Sequence, residues 1–347
     1  MPSPPEIRIR SVGTELPGPP IDNEALVRRL RMPSQTKDWI EAFVGTRSRH
    51  FAFDLETGEV NDTLTDMGEA AARRALKAAD AEPGQIDLLV MGTSTPDTLL
   101  PTTASQIADR LGIDGVPVYQ LQSGCTGAMQ AMAVASQLLR GGEYRNALVL
   151  GADTTAKYFD LDAPVQSLSS GVQVASVMFG DAAGAAVLSA DPDASGPVLR
   201  TVFSRLVGLN LAPGHTMNWY AATRPDPDED IAGEDYKAIE QLIPKMAAEI
   251  LDELLADQGW KAEELDYLLP PQLSGVMTGR IARQLAQTVP GAREVSCVLN
   301  TGNTANALPF LQLDLLLPML RPGQRAVAVS AESSKWIKAG FALEMEG

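Results

Sequence analysis

The chain has 347 residues, 45% hydrophobic and 21% charged, with a formal net charge of -16. That length holds two domains or one large duplicated one, with a sizeable core. The acidic excess argues against nucleic acid, whose binding rests on phosphate neutralisation, and against a polybasic membrane surface. Residues 1–7 have neither a basic n-region nor an apolar h-region, so no signal peptide is expected. No apolar run reaches the roughly 18 residues of a membrane helix. The richest stretch, 308–320, is broken by Gln312, Asp314 and Pro318. Two cysteines and two histidines favour neither a disulfide framework nor a structural zinc site, and a reducing cytoplasm is the expected setting.

In chain order, residues 7–13 alternate as a short strand. Segments 23–31 and 37–43 read as short helices with Asn23 and Thr36 as caps. The Ala-rich 62–79 has apolar positions at helical spacing and reads as a strong helix, closed by Pro83-Gly84. Segment 86–95 is a buried strand entering a polar turn, and 101–111 is the next helix. Segment 146–153 is another buried strand, and 178–188 a Gly-rich turn with a further strand. Strands alternating with helices imply parallel pairing and an α/β architecture. The linker 191–197 divides the chain into halves 1–190 and 191–347. The acidic, proline-bearing 224–230 reads as a solvated loop.

The organising stretch is 119–132, Tyr-Gln-Leu-Gln-Ser-Gly-Cys-Thr-Gly-Ala-Met-Gln-Ala-Met. It reads as a short buried strand, a tight turn, and a helix starting at or just after Cys125. A thiol at a helix N-terminus is expected to favour the thiolate, and the small neighbours Gly124, Thr126, Gly127 and Ala128 admit a substrate. An isolated cysteine is more often structural; the strand-turn-helix pattern favours a nucleophile.

The second half repeats the first. Helix 234–258 mirrors 62–79, strand 265–270 mirrors 86–91, helix 279–288 mirrors 101–111, and strand 325–332 mirrors 145–153. The strand 295–299 mirrors 118–123, and 341–345 mirrors 185–189. In this register Ser123-Gly-Cys-Thr falls on Thr301-Gly-Asn-Thr, so a duplicated unit is expected. The turn presenting Cys125 in one half presents Asn303 in the other, and the two meeting would form one site. Asn303 as a plain turn residue is the alternative.

These motifs, with Trp39, Gly45-Thr-Arg-Ser-Arg-His50 and Phe179-Gly-Asp-Ala-Ala-Gly-Ala-Ala-Val-Leu188, resemble the β-ketoacyl-acyl-carrier-protein synthase III family of the thiolase-like superfamily over essentially the whole chain. The resemblance implies a five-layer αβαβα sandwich forming a homodimer, with Cys125 as nucleophile and Asn303 as the family asparagine. It implies no resident cofactor or metal, and a phosphopantetheine thioester of an acyl carrier protein or coenzyme A as substrate. The family histidine falls on Pro271, which offers no side-chain donor, and an oxyanion donor is worth on the order of 100- to 1,000-fold in rate. His215 is the candidate replacement base, with an exposed loop histidine as the alternative. His50 is read as structural. Gln272, Ser274, Asn306 and Glu332 are further polar candidates near the site. Trp39 matches the aromatic that stacks on adenine, while two clamp arginines fall on Phe43 and Lys157, which favours a carrier-protein donor. Arg280 and Arg283 are the docking candidates for an acidic carrier, an earlier arginine of that helix being Val276. Trp336 replaces a Gly-rich loop and is expected to reshape the pocket, and Leu100 to reach the partner subunit's pocket.

Three functions follow. The first is an acyltransferase of polyketide-type secondary metabolism that passes an acyl group from Cys125 to a carrier-bound or small acceptor without malonyl decarboxylation. The second is an atypical carbon–carbon bond-forming synthase, decarboxylative or tetronate-type. The third is a silent partner subunit of a heterodimer.

Overall fold

The computed structural model describes residues 4–159, 170–217 and 232–347; the loop read at 224–230 lies outside them. The first half supplies strands β1 (Arg8–Glu15), β2 (Leu88–Thr93), β3 (Val118–Gln122), β4 (Asn146–Asp153) and β5 (Ala182–Ser189). The second supplies β6 (Val198–Leu206), β7 (Tyr267–Leu269), β8 (Arg293–Glu294), β9 (Arg325–Glu332) and β10 (Ile337–Glu344). They run in the order β8-β7-β9-β10-β6-β1-β5-β4-β2-β3. Each half therefore repeats one pattern. β2 pairs parallel with β3 and β4, and β5 antiparallel with β4 and β1. β7, β8, β9, β10 and β6 do the same. The halves join at one edge, where Leu199 N–H donates to Ile7 O (2.7 Å) and Ile9 N–H to Pro197 O (3.0 Å).

Six helices complete the layers: α1 (Leu64–Ala78), α2 (Thr103–Leu111), α3 (Gly127–Arg140), α4 (Tyr236–Gln258), α5 (Gly275–Thr288) and α6 (Leu308–Leu316). α1 and α2 cover the outer face of the first sheet, α4 and α5 that of the second. α3 touches β2 and β4 on one side and β6 and β10 on the other. α6 joins it, with Phe310, Leu313 and Leu316 packed among residues of both sheets. This is the five-layer thiolase-like sandwich. It explains the apolar 308–320: α6 buries Leu308, Phe310, Leu311, Leu313 and Leu316 between the layers and leaves only Asp314 and Leu315 at the surface. β4 and β5 are likewise buried on both faces.

Several boundaries moved for local reasons. Asp22, not Asn23, caps the first short helix, accepting from Ala25 N–H at 2.7 Å. Thr36 opens the helix Thr36–Trp39 without capping it, and Ile40–Val44 continues as a π-helical turn. Thr63 and Asp66 form a reciprocal capping box that starts α1 at Leu64. β3 is a half-exposed edge strand rather than a buried one. The strand expected at 295–299 is instead a helical turn, Val298–Thr301, because the Gln272 side chain takes the Cys297 and Val298 N–H groups that a ladder would use.

The inner layer tolerates no bulk where it crosses the sheet. A Cβ on Gly151 would lie 2.2 Å from Asn306 O and 2.7 Å from Ala128 Cβ. Gly151→Ala is expected to destabilise the fold by about 3 kcal/mol through overpacking. Urea unfolding should show a lower midpoint at unchanged slope, and a midpoint equal to wild type would contradict this packing.

Candidate active site

A cavity of about 970 Å³ is lined by Cys125, His215, Pro271, Ser274 and Asn303, with Trp39 and Phe43 also on its wall. Cys125 sits in the turn between β3 and α3 and is part-exposed. The glycines around it are contact positions: a Cβ on Gly124 would lie 2.8 Å from Glu332 Cδ, and one on Gly127 2.6 Å from Asn306 Oδ1.

The first donors of α3 are already taken. Glu332, at the end of β9, accepts from Thr126 N–H (3.1 Å), Thr126 Oγ1 (2.6 Å) and Ser123 Oγ (3.2 Å) through Oε2, and from Ser334 Oγ through Oε1. Ala128 N–H donates to Asn306 Oδ1 at 2.9 Å. Thr126 and Ala128 N–H at the helix terminus thus serve a carboxylate and a carboxamide from the other half. Burial, and then the charges of Glu332, Asp153 and Glu234, push the Cys125 thiol above its ordinary value. This direction is opposite to the thiolate expected at a helix N-terminus.

Asn303 follows Gly302 (φ +68°) at the end of the Val298–Thr301 turn and is pinned by its backbone: its N–H donates to Met178 O and its O accepts from Gly180 N–H. Its Oδ1 accepts from Ala305 N–H at 3.0 Å, so the amide N–H₂ faces the other way. Pro271 and Gln272 follow β7. Gln272 Oε1 accepts from Val298 N–H at 2.7 Å, so one side chain lines the cavity and shapes the turn leading to Asn303.

His215 lies in a short strand, His215–Met217, paired antiparallel with Ala232–Glu234. Glu234 is its direct cross-strand partner, and His215 Nδ1 is 3.0 Å from Glu234 Oε1. Glu234 and Tyr236 also line the cavity. Burial, and then Glu234, push the Tyr236 hydroxyl upward. Sequence reading missed Glu234, which it took as the first residue of a helix. Hairpin partners separated by a long insert leave no local spacing to read.

Other expected positions lie off the cavity or, like Ser274 on its wall, are engaged in structural contacts. Trp336 is 2% exposed and packs on Gly208 and Gly214, its Nε1 donating to Ala212 O at 2.7 Å. It therefore anchors the loop that leads into His215 rather than reshaping the pocket wall. Lys157 Nζ is spent on Thr95 O (2.6 Å) and Pro96 O (3.0 Å). Asn306 is fully buried and pins α3 to Asp153. Ser274 caps α5 through Met277 N–H at 3.1 Å. His50 bonds the Pro17 and Gly18 carbonyls, away from the cavity. Leu100 is 84% exposed, Arg280 is paired with Glu240 on the surface, and Arg283 lies on α5 outside the cavity. No cluster of three His, Cys, Asp or Glu suited to a metal occurs among the described residues. No helix among them is long and apolar enough to cross a membrane.

Residues 119–205 match the family model 3-oxoacyl-[acyl-carrier-protein] synthase III. The chain is 31% identical over 310 residues to the β-ketoacyl-[acyl-carrier-protein] synthase III of Neisseria meningitidis serogroup C, covering 88% of this chain and 89% of that one. Among solved structures it is similar to AbyA1, a tetronic acid condensing enzyme, with 53% identity, a TM-score of 0.93, and 97% and 99% of the two chains covered. It is also similar to the priming β-ketosynthase of the R1128 polyketide pathway, with 25% identity, a TM-score of 0.81, and 100% and 98% covered.

A thiol held up by Glu332 reacts only as its thiolate appears with rising pH. Iodoacetamide labelling of Cys125 should keep accelerating beyond pH 9. Glu332→Gln keeps an acceptor for Thr126 but removes the charge, and should speed labelling at pH 8 roughly tenfold for each unit the thiol falls. Equal profiles for the two proteins would refute the electrostatic role of Glu332.

Proposed function

The chain belongs to the β-ketoacyl-[acyl-carrier-protein] synthase III family, and from that premise we propose that it captures an acyl group on Cys125 and passes it on without decarboxylating a malonyl thioester. The family transfers acyl groups held as carrier-protein or coenzyme A thioesters. In our reading Cys125 is the nucleophile, His215 the base, and Asn303 the donor that orients the substrate carbonyl, with nothing but the thioester required as cofactor. Halves 1–190 and 191–347 each contribute one turn to this site.

The charge of the cavity carries the non-decarboxylative reading. Glu234 and Glu332 line it, Glu240 on its wall is paired with Arg280, and no lysine or arginine lines it among the described residues. A malonyl thioester brings its own carboxylate. Two like charges about 5 Å apart at an effective dielectric near 20 repel by on the order of 3 kcal/mol, a hundredfold in occupancy. Pro271 compounds this, because it cannot donate to the enolate that decarboxylation would leave. A neutral acceptor meets neither obstacle. Its transfer to carbon in a tetronate-type condensation is favoured by the 53% identity to a tetronic acid condensing enzyme. A silent-subunit role is disfavoured by nucleophile, asparagine and histidine sharing one cavity.

A carrier-protein donor is supported at the mouth. Trp39 and Phe43 stack on each other with centroids 6.0 Å apart, which covers part of the aromatic surface an adenine would use. Lys157, occupied by backbone carbonyls, offers no phosphate clamp. Arg280 and Arg283 are the basic side chains of α5 nearest in sequence to the cavity residues Ser274 and Met277 and are our candidates for carrier docking. A homodimer fits the exposed edge strand β3 beside Leu99 and Leu100, with Leu100 entering the partner's pocket.

Intact-mass measurement tests this. Acyl-carrier thioesters should add one acyl group to the wild type and none to Cys125→Ala, with slower labelling from the matching acyl-coenzyme A. A malonyl carrier added to the acylated protein should release no carbon dioxide. An adduct surviving Cys125→Ala would move the site elsewhere, and carbon dioxide released in step with product would restore decarboxylative condensation.

A further inference from the structure

The geometry points to Glu234 as the positioning residue of a Cys125–His215–Glu234 set, in which the base has moved from the loop after β7 to a two-stranded ribbon; this rests on the acyl-transfer reading above. Directly opposed residues of an antiparallel pair project to one face of the ribbon, and His215 and Glu234 are so opposed. Their contact is 3.0 Å, with the glutamate side chain 8% and the imidazole 26% exposed. Both line the cavity that holds Cys125.

An ionised carboxylate only accepts hydrogen bonds, so the partner Nδ1 carries the imidazole proton and Nε2 keeps its lone pair. Nε2 then takes the Cys125 Sγ proton. The sulfur bonds to the thioester carbon, the bond from that carbon to the carrier sulfur breaks, and the departing carrier thiolate takes the same proton from the imidazolium. Glu234 stabilises the imidazolium while it lasts, without itself being protonated.

Neither of the other acids near the sulfur is placed for this work. Both oxygens of Glu332 are engaged by Ser123, Thr126 and Ser334. Those of Asp153 are engaged by Thr93, Ser94, Thr95 and Asn306. The ribbon is held from behind. Asp235 N–H donates to Gly214 O (2.8 Å), Gly214 N–H to Ser333 O (2.9 Å), and Trp336 Nε1 to Ala212 O (2.7 Å). Trp336 thus acts on the site at a distance, through the loop that delivers His215.

The chain has two histidines, so ¹⁵N-histidine labelling reports on His50 and His215 alone. In the wild type His215 should show a protonated Nδ1 and a bare Nε2. Glu234→Gln, which can donate to as well as accept from the ring, should mix or invert that tautomer and leave His50 unchanged. The same variant should lower the rate of Cys125 acylation at saturating acyl carrier by 100- to 10,000-fold with little change in KM. Glu234→Asp should recover at least roughly tenfold of that loss. A wild-type His215 protonated at Nε2 overturns the proposal even if the glutamine variant fails to fold, and so does wild-type acylation in a folded Glu234→Gln. Should no thioester acylate wild-type Cys125, the acyl-transfer reading fails, and the tautomer still decides whether Glu234 orients the ring.

Discussion

The carboxylate of Glu332 at the start of α3 is the contact on which the site depends. It ties the end of β9 in the second half to the Cys125 turn of the first, through Thr126 and Ser123. It also occupies the place where a helix terminus would otherwise stabilise a thiolate. The same interaction therefore helps to join the two halves and, with burial, opposes ionisation of Cys125. A nucleophile so placed is stable in the resting protein and reactive only when a base accompanies the substrate.

The base we propose, His215, comes from outside the duplicated framework. The repeated unit accounts for Cys125 and Asn303, each on a turn before an inner helix. The histidine does not repeat: it sits on a ribbon inserted between β6 and α4, opposite a buried glutamate. Pro271, Glu234 and Glu332 line the same cavity as His215. In the function we propose, the acidity and the absence of a donor at Pro271 both disfavour one substrate, a malonyl thioester. The sandwich around them is that of its relatives.

Much of this was legible in the sequence because it is written locally. Buried strands such as 146–153 are continuous apolar runs, helix 62–79 is amphipathic, and the Ser123-Gly-Cys-Thr and Thr301-Gly-Asn-Thr turns share a spacing. What escaped reading depends on contacts between distant segments. Glu234 pairs with His215 across an insert. Trp336 is bulky where the family resemblance implies a Gly-rich loop, which reads as pocket filling until its indole is seen holding Ala212. The 295–299 segment has strand character, yet Gln272 captures its N–H groups. The thiolate expectation failed for the same reason: a helix N-terminus is visible in sequence, but the glutamate that occupies it lies some two hundred residues away.

The central claim is that His215, not the helix terminus, activates Cys125. The direct measurement is the single-turnover rate of Cys125 acylation by an acyl-carrier thioester at pH 7, in wild type and in His215→Gln. Loss of a positioned general base predicts a rate at least about 100-fold lower in the variant. Equal rates in a folded variant would contradict the account and return activation to the α3 terminus.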